Sequence, residues 1–234
     1  MIATRDFLFI HLHKTGGQFV NRLLLEHIPD ARRIGYHLPR REAPEELKPL
    51  PTFAFMRNPW DWYVSWYAFN AATPQRNPIF RAVSEQGEAD FNDTITNLLH
   101  LGHPLNAAMR EQIASQLPES REGNLGSGIT RSVMQGFTDP DAGYLTWLTR
   151  YMCFTGGSPA GLRMGRMEQL REDLVSLLEG NAVALTPQLR DAIATAPVVN
   201  ASPRRDYRGY YDAELREMVA ERDWAIVESY GYEF

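Results

Sequence analysis

The chain has 234 residues with a formal net charge of −5, and 44% of them are hydrophobic. That length can bury a full core as one domain, and the acidic balance argues against a broad basic track for nucleic acid or a sulfated polysaccharide. A single cysteine, Cys153, excludes an internal disulfide and fits a reducing compartment. No run is long enough to span a membrane and the first strand starts too early to leave room for a signal peptide, so a cytoplasmic protein is expected.

Phe7 to Ile10 is a short apolar run that reads as a buried strand. It leads into His11-Leu12-His13-Lys14-Thr15-Gly16-Gly17, and a helical pattern follows from Gln18 to Leu25. The glycine pair lets the chain turn tightly and bring backbone N–H groups against an anion. The helix start adds unpaired N–H groups and the positive end of the dipole, and Lys14 adds a mobile cation. The lysine precedes the glycines, so this is not a Walker A loop, which needs Gly-x-x-x-x-Gly-Lys-Ser/Thr. An ordinary strand-turn-helix corner with a surface lysine would carry the same residues.

Arg33 to Tyr36 reads as a second short strand, with His37 just beyond it. Pro51 to Met56 reads as a third, and Arg57 stands at its end. Asn58 is a good helix N-cap and Pro59 a good first helical residue. The helix that follows carries Trp60, Trp62, Tyr63, Val64, Trp66, Tyr67 and Phe69. Ser65 lies near two turns along it, where its hydroxyl and the Arg57 guanidinium could share an anion. Most of these rings read as core; Trp60 is kept as a candidate neighbour for an adenine.

From residue 71 to about 160 the chain reads as helix or loop, with helical spacing over Phe91–Leu101, Asn106–Leu117 and Ala142–Cys153. Glu119 to Thr130 is rich in Gly, Ser and Asn and is expected to form part of a lid. Leu162 to Gly165 reads as a late strand, Met167–Leu178 and Pro187–Ala194 as helices, and Asn200–Arg208 as a loop. Asp212 to Ser229 reads as a terminal helix with Asp212 near its N-cap. The expected organisation is one domain: a nucleotide-binding core over 1–70, a variable acceptor and lid region over 71–160, and a closing part over 161–234. The expected fold is α/β, a P-loop-like three-layer arrangement with a central parallel sheet flanked by helices and a mainly helical insertion.

The motifs resemble those of the sulfotransferase family that uses 3′-phosphoadenosine-5′-phosphosulfate (PAPS), in its carbohydrate and membrane-type branch. That branch carries a first motif like His-x-Pro-Lys-Thr-Gly-Gly-Thr-Ser and a second like Arg-x-Pro-x-x-x-x-x-Ser-x-Tyr. Here they read His11-Leu12-His13-Lys14-Thr15-Gly16-Gly17-Gln18-Phe19 and Arg57-Asn58-Pro59-Trp60-Asp61-Trp62-Tyr63-Val64-Ser65-Trp66-Tyr67. Leu162–Leu174 is similar to the family's late strand-to-helix stretch, and Asn200–Tyr207 through Phe234 to its C-terminal loop and closing helix. The likeness is weakest between about Ala71 and Ala160.

The resemblance implies PAPS as co-substrate and transfer of its sulfonate to a hydroxyl of a small molecule, sugar or lipid, with no metal. Lys14 would touch the oxygen bridging phosphate and sulfate. Thr15, Gly16 and Gly17 would hold the 5′-phosphate, with Gln18 able to donate an amide N–H. Arg57 and Ser65 would hold the 3′-phosphate, approached from the C-terminal loop by Arg204 or Arg205. Gln18 and Phe19 stand where the family has hydroxyl residues, and His13 replaces a proline.

An alcohol attacking sulfur must lose a proton while the leaving phosphate gains charge, so a base and a cation are needed. Lys14 supplies the cation. Histidine suits the base because its ordinary pKa lies near neutrality. His37, expected just past a strand end and beside Lys14 and Arg57, ranks first, His13 second and a lid carboxylate third. His11 reads as a core histidine, and a His11–His13 metal pair lacks a third ligand. His100 and His103 read as ordinary loop residues. Two other readings stand beside the sulfotransferase: a P-loop kinase, which would need magnesium, and a non-catalytic nucleotide-binding protein of the same fold.

Overall fold

Thr52 to Met56 is apolar at nearly every position, as a strand buried on both faces must be, and it forms an interior strand of a five-stranded sheet. The structure is a computed structural model that describes residues 1–73, 77–120, 128–181, 183–197 and 205–234. The strands are β1 (Ile2–Ala3), β2 (Leu8–Phe9), β3 (Arg32–Arg33), β4 (Thr52–Met56) and β5 (Leu162–Arg166), in the order β3-β1-β2-β4-β5. β4 is parallel to both β2 and β5, with Phe9 opposite Phe53 and Gly165 opposite Phe55.

The sheet is mixed: the expected parallel arrangement holds over β2, β4 and β5, and the other strands are antiparallel. β1 runs antiparallel to β2, and β3 runs antiparallel to β1 at the sheet edge. The expected second strand over Arg33–Tyr36 is instead the pair Arg32–Arg33, and the chain has left the sheet before His37. Two-residue strands carry no alternation to read, which is why β1 left no mark in the sequence.

Helices α1 (Gly17–His27), α2 (Pro59–Ala71), α3 (Pro78–Val83), α4 (Phe91–Leu99), α5 (Ala107–Gln116), α6 (Arg131–Gln135), α7 (Tyr144–Cys153), α8 (Leu170–Gly180), α9 (Pro187–Thr195), α10 (Ala213–Arg222) and α11 (Trp224–Tyr230) account for most of the remaining described structure. The α/β class is therefore as expected, and most of the expected helices are present with shifted ends. The terminal helix is not continuous. It breaks at Asp223 into α10 and α11.

The chain divides into two units, residues 1–57 with 149–201, and residues 58–148 with 202–234. The first unit holds the sheet. Its core joins Phe7, Phe9, Phe53 and Phe55 to Phe19, Val20, Leu23 and Leu24 of α1, to Leu174, Leu177 and Leu178 of α8, and to Leu189 and Ile193 of α9.

The second unit is helical and aromatic. α2 starts as expected, with Asn58 Oδ1 accepting from the N–H groups of Trp60 and Asp61 and Pro59 in the first turn. Trp62 stacks near Trp66 and Tyr144, and Trp66 packs on Phe80. Asp223, wholly buried, accepts from Tyr63 Oη at 2.6 Å and from the Thr146 N–H at 2.8 Å. Phe234 packs edge-on to Trp60, Tyr207 and Tyr211. Among the described residues no helix is long and apolar enough to cross a membrane.

Candidate functional site

The end of β2 leads straight into the glycine loop. Leu12 to Gly16 turns through left-handed backbone at Lys14, φ 60°, and at Gly16, φ 78°. Gly16 is the N-cap of α1 and brings no side chain to its first turn, so the N–H groups at this helix start lack the usual side-chain acceptor. Alternating left-handed and right-handed residues make a concave array of N–H groups suited to an anion.

Three bonds set the loop. Thr15 Oγ1 donates to Leu12 O at 2.9 Å, so the hydroxyl turns inward and what Thr15 can offer a ligand is its backbone. Arg57, at the end of β4 and 7% exposed, donates from Nη1 to Lys14 O at 3.1 Å. The guanidinium thus braces the loop from behind and fixes the residue that carries the expected catalytic cation. Gln18 is exposed, and its Nε2 donates to Tyr36 Oη at 3.3 Å.

Beside the loop stand three histidines. The His13 and His37 rings are stacked, 3.7 Å between centroids and 8° between planes. The His11 ring lies 4.3 Å from that of His37. His37 also has left-handed backbone, φ 45°, which is uncommon for a residue with a Cβ. Its Nδ1 donates to His11 O at 2.8 Å. That bond places the proton on Nδ1 and leaves Nε2 as the basic nitrogen. The His11 Nδ1 accepts from Asn21 Nδ2 at 3.1 Å.

Burial, followed by the neighbouring imidazole of His13, pulls the His11 ring down to about 3. Burial, then His13 and then His11, holds His37 well below the usual imidazole range. Both rings are therefore neutral near pH 7. For His37 this is the protonation state a general base needs, although a depressed pKa makes it a weaker one.

The first unit therefore brings together Lys14, Thr15, Gly16, Gly17 and Gln18 on the loop, with Arg57 behind it and His37 against His11 and His13. His37 arrives by a route the sequence did not suggest: from a turn beyond an edge strand, not from a parallel strand end. His11 is a core histidine as read, but its carbonyl also sets the His37 tautomer. The remaining candidates lie in the second unit. Ser65 is buried on α2, and Arg205 is exposed with its guanidinium 4.5 Å from the centre of the Tyr210 ring. Arg204 and most of the expected lid, residues 121–127, lie outside the described residues. Trp60 is no adenine platform: it is 3% exposed, packed on Phe234, and its Nε1 donates to Arg216 O.

Asn21 and Tyr36 were missed as supporting residues. Asn21 had a legible signal, a polar residue on the buried face of α1 among Phe19, Val20, Leu23 and Leu24. Tyr36 had none beyond its place before His37. Among the described residues, no group of three or more His, Cys, Asp or Glu could hold a metal ion. Comparison with models of protein families, with curated proteins and with solved structures finds no match to the chain.

Proposed function

We propose that the chain is a sulfotransferase that moves the sulfonate of PAPS to a hydroxyl of a small-molecule, sugar or lipid acceptor. The observation that carries this reading is the Lys14–Gly17 loop: an anion-shaped turn at a helix start, with its lysine tied at the backbone to Arg57 and a histidine cluster alongside. Lys14 and His37 supply the cation and the base the chemistry asks for. They are also two of the four non-glycine residues with positive φ among the described residues. Unusual backbone of this kind concentrates at functional sites because the surrounding structure must hold it in place.

In this reading the acceptor oxygen attacks sulfur as the bond from sulfur to the bridging oxygen breaks. His37 Nε2 takes the acceptor proton, and Lys14 meets the charge that grows on the departing phosphate. The loop N–H groups hold the 5′-phosphate. The sequence resemblance assigns the 3′-phosphate to Arg57, Ser65 and Arg204 or Arg205.

The test is nucleotide discrimination by thermal shift. Adenosine 3′,5′-bisphosphate, the desulfo product, should stabilise the chain by about 2.7 kcal/mol at a hundredfold excess over its Kd, a rise of roughly 5–11 °C in Tm. AMP, without the 3′-phosphate, should do much less. Equal shifts with the two nucleotides would overturn the donor assignment. A magnesium requirement for turnover would favour the kinase reading instead.

A further inference from the structure

A cavity of about 370 Å³ lies wholly within the helical unit and is lined by Asn97, His100, His103, Leu105, Asn106 and Arg222. Ligand sites begin at roughly 300 Å³. Three segments meet there: the end of α4, the turn from His100 into α5, and Arg222 at the end of α10. Gly102 lets that turn close, because a Cβ on it would collide with Asp139 O.

The turn is fixed from behind by Arg110, which is 8% exposed. Its Nη1 donates to Leu101 O and to His103 O, each at 2.7 Å, and no carboxylate pairs with it among the described residues. A buried guanidinium ordinarily has an anionic partner. Arg222 likewise donates from Nη1 to a carbonyl, that of Pro140. One guanidinium thus lies under the turn and a second in the lining, which holds no carboxylate, in a chain whose net charge is −5.

The two imidazoles complete the set with fixed polarity. His100 Nδ1 donates to Thr96 O at 3.0 Å, which leaves Nε2 as an acceptor. His103 Nδ1 accepts from the Leu105 N–H at 3.2 Å, which puts its proton on Nε2 as a donor. Burial, then the Arg222 charge, lowers the His100 pKa, so that ring stays neutral near pH 7. A ligand must therefore offer negative oxygens to Arg222 and His103 and one proton to His100 Nε2. A phosphomonoester can do both, because its second proton titrates at about pH 6 and is kept near neutrality at little cost. A carboxylate or a sulfate carries no proton there.

From this arrangement we propose that the cavity between α4, α5 and α10 binds a phosphomonoester. Arg222 and His103 Nε2 take the charged oxygens, and His100 Nε2 shares the remaining proton. Leu105, 86% exposed, gives the ester group an apolar wall. The site shares no residue with the phosphate loop and is independent of the sulfotransferase reading. It gives a role to two histidines that the sequence marks only as loop residues.

The test titrates the full chain with orthophosphate, glycerol 3-phosphate and sulfate near neutral pH, with and without saturating adenosine 3′,5′-bisphosphate. Binding is read from the imidazole nuclear magnetic resonances of His100 and His103. Both phosphates should shift the two rings, and glycerol 3-phosphate should bind at least as tightly as orthophosphate. Sulfate should bind about tenfold more weakly, the worth of one charge-assisted hydrogen bond. Arg222→Met should weaken phosphate binding about tenfold for the same reason. His103→Asn leaves Arg222 untouched, and its amide oxygen can still accept from the Leu105 N–H; it should cost a similar factor. Sulfate binding as tight as phosphate, orthophosphate binding without the ester, rings that do not shift, or affinity unchanged in both variants would overturn the proposal. Displacement of phosphate by the bisphosphate would also overturn it, by assigning the cavity to the donor nucleotide.

Discussion

The His11 imidazole fills the space that a side chain on Gly17 would need: a Cβ added there would lie 1.9 Å from His11 Cδ2. The second glycine of the loop is therefore required by a ring that packs against it as well as by the turn. The same ring carries the Asn21 bond, and its residue's carbonyl receives His37 Nδ1. Loop, helix start and candidate base are coupled through this one contact.

Gly17→Ala should accordingly disturb more than the turn. Forcing a methyl into a packed site costs about 1–3 kcal/mol, and relief would require His11 to leave its seat. Urea titration should show that loss, and turnover should fall with it. A variant with unchanged stability would mean that the ring moves at no cost and does not organise the site.

Lys14→Ala should separate binding from chemistry. The ammonium is assigned to charge that grows in the transition state, so turnover should collapse while affinity for the bisphosphate stays measurable. Arg57→Ala should behave differently, because it removes both the proposed 3′-phosphate ligand and the bond that fixes the Lys14 carbonyl. It should lower bisphosphate affinity and turnover together. If Lys14→Ala turned over at near the wild-type rate with saturating PAPS, the leaving-group role would be lost.

His37→Asn is the preferred probe of the base, since Asn tolerates the left-handed backbone seen at His37. Turnover should drop about 10²- to 10⁴-fold, the usual worth of a general base, with bisphosphate affinity unchanged. Burial and the neighbouring imidazoles depress the His37 pKa, so the acid limb of the wild-type rate should lie below about pH 6.5. The variant should lack that limb. Should His37→Asn keep its rate, His13, stacked on the same ring, becomes the leading base.

The same depressed pKa values make stability depend on pH. His11 and His37 are neutral when folded, whereas each takes up a proton near pH 6.5 once unfolded. The stability from burying them is thus present above about pH 6.5 and is lost as pH falls. His11 continues to contribute to that loss down to about 3. For His11 the loss should be about 1.4 kcal/mol per pH unit across that window. Urea midpoints for the wild type and His11→Gln at about pH 7 and about pH 5 would measure it, and parallel falls in the two proteins would refute the assignment to His11.

In the second unit, Asp223 ties Tyr63 of α2 to the first turn of α7 at Thr146. Asp223→Ala should leave these donors buried and unmatched, at about 1–3 kcal/mol for each. Tyr63→Phe removes only the hydroxyl and should cost less. A chemical denaturation series ranking Tyr63→Phe above Asp223→Ala in damage would contradict this account.

The local features of the chain were set by its own sequence. The apolar run at β4, the glycine-led start of α1, the Asn58–Pro59 opening of α2 and the Asp212 cap of α10 each rest on interactions within a few residues, and all were legible. Tertiary structure decided the rest. β1 and β3 are two residues long and exist only through pairing with neighbours, so their antiparallel order had no periodic trace. Asp223 looks like one more charge in a polar helix until burial beside Tyr63 makes it a break point. The histidine cluster depends on a left-handed turn at His37 that brings its ring onto His13, and on an Arg57 donor that reaches back to Lys14. Such contacts join residues far apart in the chain. Their geometry is set by how the sheet packs, because no short-range pattern can specify it.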